Sequence, residues 1–142
     1  MSLASIAVRT SNVTISNANV ELRTTAGVKC RVLEVGVVQA TGTASSYGLG
    51  RPSAQGVTPG TSSTFQRDDS ADPACVTTVS LTWGTSPTAP ANYHRRWNSA
   101  ATVGVGIIWT FPRGLIVPVS ASLVVFNVTA TVATDSSWVI DE

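Results

Sequence analysis

Apolar and polar positions alternate most clearly between Ala101 and Thr131. From Val103 the odd positions are Val103, Val105, Ile107, Trp109 and Phe111; the even ones are Gly104, Gly106, Ile108 and Thr110. A period of two with one large apolar face predicts a strand. Pro112-Arg113-Gly114 then reads as a turn. Leu115 to Val119 and Leu123 to Phe126 read as two further strands, split by Ser120-Ala121-Ser122. Three β-branched-rich runs so close together predict a meander in an all-β domain.

The same period recurs along the chain. Leu3 to Arg9 predicts a strand with Ile6 and Val8 on one face, and Val13 and Ile15 a short second piece closed by Ser16 to Asn19. Val20, Leu22 and Thr24 alternate with Asn19, Glu21 and Arg23, the mark of a half-buried strand, before a tight turn at Thr25-Ala26-Gly27. Lys29 to Ala40 predicts a strong strand with Leu33, Val35 and Val37 on one face, and Val32, Gly36 and Val38 with Glu34 on the other. Its β-branched content and internal Gly36 disfavour a helix. Val79, Leu81 and Trp83 predict a half-exposed strand. The next strand puts Tyr93, Arg95 and Trp97 on one side and His94 and Arg96 on the other. Asp135-Ser136-Ser137 reads as a turn, and Trp138 to Ile140 as a short last strand.

Two stretches break the period. Gly84 to Asn92 holds two prolines, Pro87 and Pro90, and is expected as a stiff loop, excluded from a central strand. Thr41 to Val76 is dense in Gly, Ser, Thr and Pro. Either it hides a short strand around Ser63 to Gln66, or it is a functional arm. Within it, Tyr47-Gly48-Leu49-Gly50-Arg51-Pro52 is either a turn packed on the core rim or an extended loop laid on a neighbouring subunit, with Arg51 as anchor. The expected fold is thus an antiparallel β-sandwich forming one domain over residues 1–142, with a long loop or arm at about 41–76. Short strands suit a jelly roll and an immunoglobulin-like sandwich equally.

Composition narrows the partners. The 142 residues carry a net charge of only +1, and 12% of them are charged. Sparse, balanced charge disfavours bulk nucleic acid or an anionic membrane as partner. Lys29 is the only lysine among nine basic residues. Arginine suits fixed, stacked or bidentate contacts, so this bias points to surface covered by other proteins. The first residues lack the basic and apolar regions of a secretory leader, and no apolar run approaches the roughly 20 residues of a membrane span. Asn12-Val13-Thr14 and Asn127-Val128-Thr129 match the glycosylation sequon and read as chance matches. Cys30 opens an apolar strand and is expected as a buried free thiol rather than half of a disulfide with Cys75.

Catalytic material is thin. His94 is the single histidine, and neither a Gly-x-Ser-x-Gly elbow nor a phosphate-binding glycine loop occurs. Two cysteines and one histidine supply little for a zinc site. Asp68, Asp69 and Asp72 do not follow the EF-hand spacing and read as a solvated turn, with Asp72 capping before Pro73. The expectation is no enzyme, no cofactor and no metal. Interface residues are better supplied: Tyr93-His94-Arg95-Arg96-Trp97 is the densest aromatic and basic cluster. Arg51, Tyr93, Arg95, Arg96, Trp97 and Arg113 are the expected partner contacts. Arginines snorkelling to water on an edge strand are the alternative.

Several blocks resemble a family of small β proteins encoded among the structural genes of tailed bacteriophages. These are Arg9 to Thr14, Tyr47 to Pro52, Asp68 to Ala74, and Ala91 to Arg96 continuing to Ile107 to Leu115. The Trp109-Thr110-Phe111-Pro112-Arg113-Gly114-Leu115 run before a valine-rich strand is the most specific. The resemblance is to capsid cement, or decoration, proteins. It implies a jelly-roll-like sandwich assembled as a homotrimer on the capsid exterior of the virion, bound to the major capsid protein. It implies no catalytic residues. In that role, strands apolar on both sides, such as Leu123 to Phe126, would feed the core and a subunit interface, and Gly104 and Gly106 would admit another backbone. A phage tail or fibre module that binds glycans through Tyr93, Trp97 and the Gly84 to Asn92 loop is the other reading. A glycosidase or esterase domain is a third.

Overall fold

The alternating runs form strands, and their register shows which faces are buried. In the computed structural model, residues 2–11, 13–14 and 17–142 are described. Asn12 of the first sequon, and Ile15 and Ser16 of the second expected strand, lie outside them. The strands are β1 (Leu3–Arg9), β2 (Ala18–Arg23), β3 (Cys30–Gln39), β4 (Ser46–Gly50), β5 (Val57–Pro59), β6 (Ser62–Thr64) and β7 (Gln66–Arg67). They continue with β8 (Thr78–Ser80), β9 (Trp83–Thr85), β10 (Arg95–Asn98), β11 (Gly106–Val117), β12 (Ser122–Asn127) and β13 (Thr134–Asp141). There is no helix among the described residues, and therefore none long and apolar enough to cross a membrane.

One sheet runs β11-β3-β13-β1-β7 and the other β10-β4-β12-β2-β8-β6, with β5 and β9 as a separate pair. Every pairing is antiparallel. The two large sheets share one core. Val35, Val37, Trp109, Trp138 and Ile140 of the first meet Val20, Leu22, Tyr47, Leu49, Leu123 and Val125 of the second. Each such side chain contributes about 1.5–3 kcal/mol by leaving water. Ignoring the short strands, the chain puts β1, β3, β11 and β13 in one sheet and β2, β4, β10 and β12 in the other. This is the antiparallel sandwich expected from the alternation. On one side the chain passes directly from β6 to β7, and so from one sheet to the other, with Phe65 buried between them. On the opposite side β10 and β11 are both edge strands.

Several local expectations are corrected. Pro112-Arg113-Gly114 does not end a strand. It is a bulge inside the 12-residue β11, where the pairing with β3 shifts register between Thr110 and Leu115. Gly114 takes φ 69° there. There is no meander, because β11 and β12 belong to opposite sheets. In β3, Leu33 is an extra residue: Val139 pairs with Glu34 and Ile140 with Val32. The bulge switches parity, so Val32 shares the core face with Val35 and Val37. Asp135 to Ser137 is strand, paired with both β1 and β3. Val79 and Trp83 fall in different sheets, since the chain breaks between β8 and β9.

The segment 41–76 is not an arm. It contains β4, β5, β6 and β7, and the strand foreseen around Ser63 is β6 with β7. Tyr47 to Gly50 is neither a turn nor an extended loop. It is a central strand between β10 and β12, held there because Tyr47 and Leu49 point into the core. In the Asp68 to Asp72 turn, Asp69 rather than Asp72 caps, accepting from the Ala71 N–H at 2.8 Å. Cys30 and Cys75 are buried and unbridged.

Candidate interaction surface

The two broad faces of the sandwich differ. Strands β2 and β12 and most of β4 are buried on both sides. Their outer side is covered by residues 51–60 and 82–94 of the same chain, tied together by the β5–β9 pair and the Ala54–Thr88 bridge. Val124 and Phe126 pack under Trp83, Ala89 and Tyr93. The second face of Leu123 to Phe126, expected to serve a subunit interface, is thus met by this chain itself. The sequence permits the cover because Gly48 and Gly50 leave a trough in β4. A Cβ on Gly48 would stand 2.5 Å from the Tyr93 ring, and one on Gly50 2.8 Å from Pro90.

A buried polar node locks this cover down. Glu21 is fully buried. It accepts from Trp83 Nε1 at 2.6 Å and from the Gly56 N–H at 3.4 Å, and pairs with Arg23 at 3.0 Å. Arg23 also donates to the Gly56 carbonyl. Alternation predicted a solvated polar face here; the cover turns it into a buried ion pair.

Among the described residues, the outer face of the other sheet has no such cover. Its rows run Arg9–Asp135–Val38–Gly106, Ala7–Ser137–Gly36–Ile108 and Ser5–Val139–Glu34–Thr110 across β1, β13, β3 and β11. Small side chains at Ser5, Ala7 and Ser137 leave a shallow depression in it, bordered by Ser63, Thr64 and Gln66. Ile108 is 63% exposed, Ile116 47% and Val38 39%. Gly106 does admit a close backbone, but that backbone is β3, whose Val37 carbonyl lies 2.7 Å from where a Cβ would be.

Arginines gather where this face meets the β10–β11 side. Arg95 lies over the Phe111 ring at 5.2 Å. With Arg113, Pro112, Gly114 and Leu115 it lines a shallow pocket of about 390 Å³. Arg51, just after β4, donates to the Ile116 carbonyl at 2.6 Å and sits 3.4 Å from His94 Nε2. Partial burial, then the guanidiniums of Arg51 and Arg95, hold the His94 imidazole below its ordinary value, so it is neutral at pH 7. Among the described residues the ion pairs are Arg9–Asp135 and Arg23–Glu21. None of Arg51, Arg95, Arg96 and Arg113 forms one.

The six expected contact residues therefore divide. Arg51, Arg95 and Arg113 converge on the second half of β11. Arg96 lies over Tyr93 at 5.6 Å on the covered face, so Tyr93 sides with Arg96 and not with Arg95. Tyr93 is half-buried against Phe126, with ring centroids 6.0 Å apart. Trp97 is half-buried and stacked on Tyr47 at 5.5 Å. Both aromatics chiefly build the fold. Residue-by-residue reading missed Ile108 and Ile116 as surface groups. It also missed a usable signal: residues 35–67 and 73–134 contain no Asp or Glu. Near neutrality overall conceals a segregated charge. No group of His, Cys, Asp and Glu that would hold a metal ion is found among the described residues. No protein-family model, no curated protein and no solved structure matches the chain.

Proposed function

We propose that the protein is a non-catalytic capsid cement protein of a tailed phage. It seats on the outer surface of the head and bridges neighbouring major capsid protein subunits, as a homotrimer. The observation that carries this reading is the asymmetry of the sandwich. One sheet is roofed by the chain's own residues 51–60 and 82–94, while the other presents an open outer face with Ile108, Ile116 and Val38 exposed to solvent. An open, partly apolar face bordered by unpaired arginines has the composition of a contact surface. The strand order supports the same reading. Counting the eight long strands in chain order, the sheets run 1-8-3-6 and 2-7-4-5. We read that order as a jelly roll, an architecture used by viral capsid domains. Fold alone does not assign function, and the blocks resembling phage structural proteins supply the rest.

A rigid sandwich suits the role. It adds buried area across seams between capsid subunits, and trimerisation multiplies weak contacts by avidity. The glycan-binding module is less well served, because Trp97 already stacks on Tyr47, and Tyr93 packs at a tilt against Phe126 with Arg96 over its ring. A glycan array is expected to give no saturable hits. The direct test is co-sedimentation of the purified protein with phage heads that lack it. Saturable binding at a fixed ratio supports the proposal, and absence of binding overturns it.

A further inference from the structure

We propose that the outer edge of β11, from Gly106 to Ile116, accepts an extended acidic segment of a partner polypeptide as an added strand, with the partner's carboxylates held by Arg51, Arg95 and Arg113. The proposal deepens the cement reading and rests on it for the partner's identity as a capsid subunit.

Backbone phase comes first. β11 is hydrogen-bonded to β3 on one side only. Gln39 N–H donates to the Val105 carbonyl at 2.8 Å and Gly104 N–H to the Gln39 carbonyl at 2.9 Å. In an antiparallel ladder this phase turns the backbone groups of Ile107 and Trp109 toward β3, and those of Gly106, Ile108 and Thr110 outward. Three successive outward positions form a docking edge for an extended chain. Beyond the bulge, the Ile116 carbonyl already receives the Arg51 guanidinium, which places that charge beside the same edge.

Charge selects the occupant. Arg95 and Arg113 line one pocket at the bulge, and neither forms an ion pair within the chain. Glu34, opposite Thr110, is the carboxylate that the pairing register sets beside β11. At the far end Asp141 and Glu142 share a pocket with Ile116, Lys29 and Arg31; the strand itself brings no acid to the edge, since residues 73–134 contain neither Asp nor Glu. A second copy pairing edge to edge would bring the same arginines together, which like-charge repulsion opposes. A nucleic acid would meet the arginines but leave the outward amides and Ile108 unused. Pro112 and Arg113 interrupt the edge, as edge strands do when indiscriminate pairing must be avoided.

The test uses the intact protein and three labelled probes. These are a peptide of alternating Glu and Val about ten residues long, its Lys–Val counterpart, and a single-stranded oligonucleotide of similar length. Binding is read by fluorescence anisotropy. The expected result is saturable binding of the Glu–Val peptide that weakens about tenfold or more between roughly 0.05 and 0.5 M salt. It should weaken about as much in the variant Arg95→Glu/Arg113→Glu. Hydrogen exchange should show new protection at the Ile108 and Thr110 amides. Ile108→Pro, which removes an outward N–H, should abolish that protection and weaken binding. Equal binding of both peptides, or unaltered affinity in the charge-reversed variant with its melting temperature unchanged, overturns the proposal. So does tighter binding of the oligonucleotide. Wild type and the charge-reversed variant binding heads alike would remove the edge proposal and leave the cement reading. Peptide binding by a protein that ignores heads would do the reverse.

Discussion

At the scale of single residues, the fold depends on a few side chains whose fit is determined by what lies opposite. Gly48 is one. A methyl there meets the Tyr93 ring, whose place is fixed by Phe126 and Arg96. Gly48→Ala is expected to lower stability by about 1–3 kcal/mol, as overpacking does. Gly48→Ala/Tyr93→Ala should then cost less than the sum of its parts, in a denaturant titration of the four proteins. Glu21 is another. Glu21→Ala strands Arg23 and Trp83 Nε1, and about 3 kcal/mol of stability should go with it. Additive single costs at Gly48, or a neutral Glu21→Ala, would show that the cover is held by something else. Cys30 gives a pH signature. Burial pushes its thiol from 9.0 up to about 12, against a smaller opposing pull from the neighbouring Thr77. An unfolded chain releases that proton from about pH 9 while the folded one keeps it. Stability from this group is therefore intact below pH 9 and lost progressively toward pH 12. Tyr47, raised to about 12 by burial, adds to the same slope at higher pH. Cys30→Ala should flatten the alkaline fall measured by thermal melting from pH 8 upward; an unchanged slope would contradict the assignment.

At the scale of elements, most of the long strands were legible in the sequence, β4 and the start of β13 excepted, and strand partnership was not. Ile107, Trp109 and Phe111 do face the core, as alternation requires. Pro112 and Gly114, read locally as a turn, become a bulge because Leu115 to Val117 resume pairing with the same strand, β3. Only the partner reveals that. Leu33 misled for a related reason: one extra residue inverts the faces on either side of it, and apolar residues stand on both. The cover over β2, β4 and β12 was hidden because Gly48 and Gly50 look like loop glycines until Tyr93 is seen lying on them. This cover makes a testable unit. Trp83→Ala removes both its ring from Val124 and Phe126 and its bond to Glu21. It should loosen the cover, residues 51–60 and 82–94, by about 2 kcal/mol or more. Hydrogen exchange should then rise across those segments while β3 and β13 stay protected. A uniform rise over the whole domain would mean that cover and sandwich unfold as one.

At the scale of the whole molecule, the surface is a sandwich with one roofed face, one open face and an arginine border between β10 and β11. The expected site was half legible. Arg51, Arg95 and Arg113, separated by up to 62 positions in the chain, do converge on β11. Tyr93 and Trp97 looked like hot spots because aromatic side chains serve cores and interfaces alike, and here the core claims them. The open face was not legible, since Ile108 and Val38 sit in strands whose other residues are core, and no local rule says which outer face the chain will roof. The proposed role follows from this layout: a rigid body that seats one side on a protein surface. The decisive measurement is the co-sedimentation of the purified protein with phage heads that lack it, titrated to saturation, for wild type and for Ile108→Asp on the open face. The account predicts saturation at a fixed protein-to-capsid ratio for wild type and a marked loss for the variant, with its fold retained. Heads that take up neither protein, or both without saturating, would contradict it.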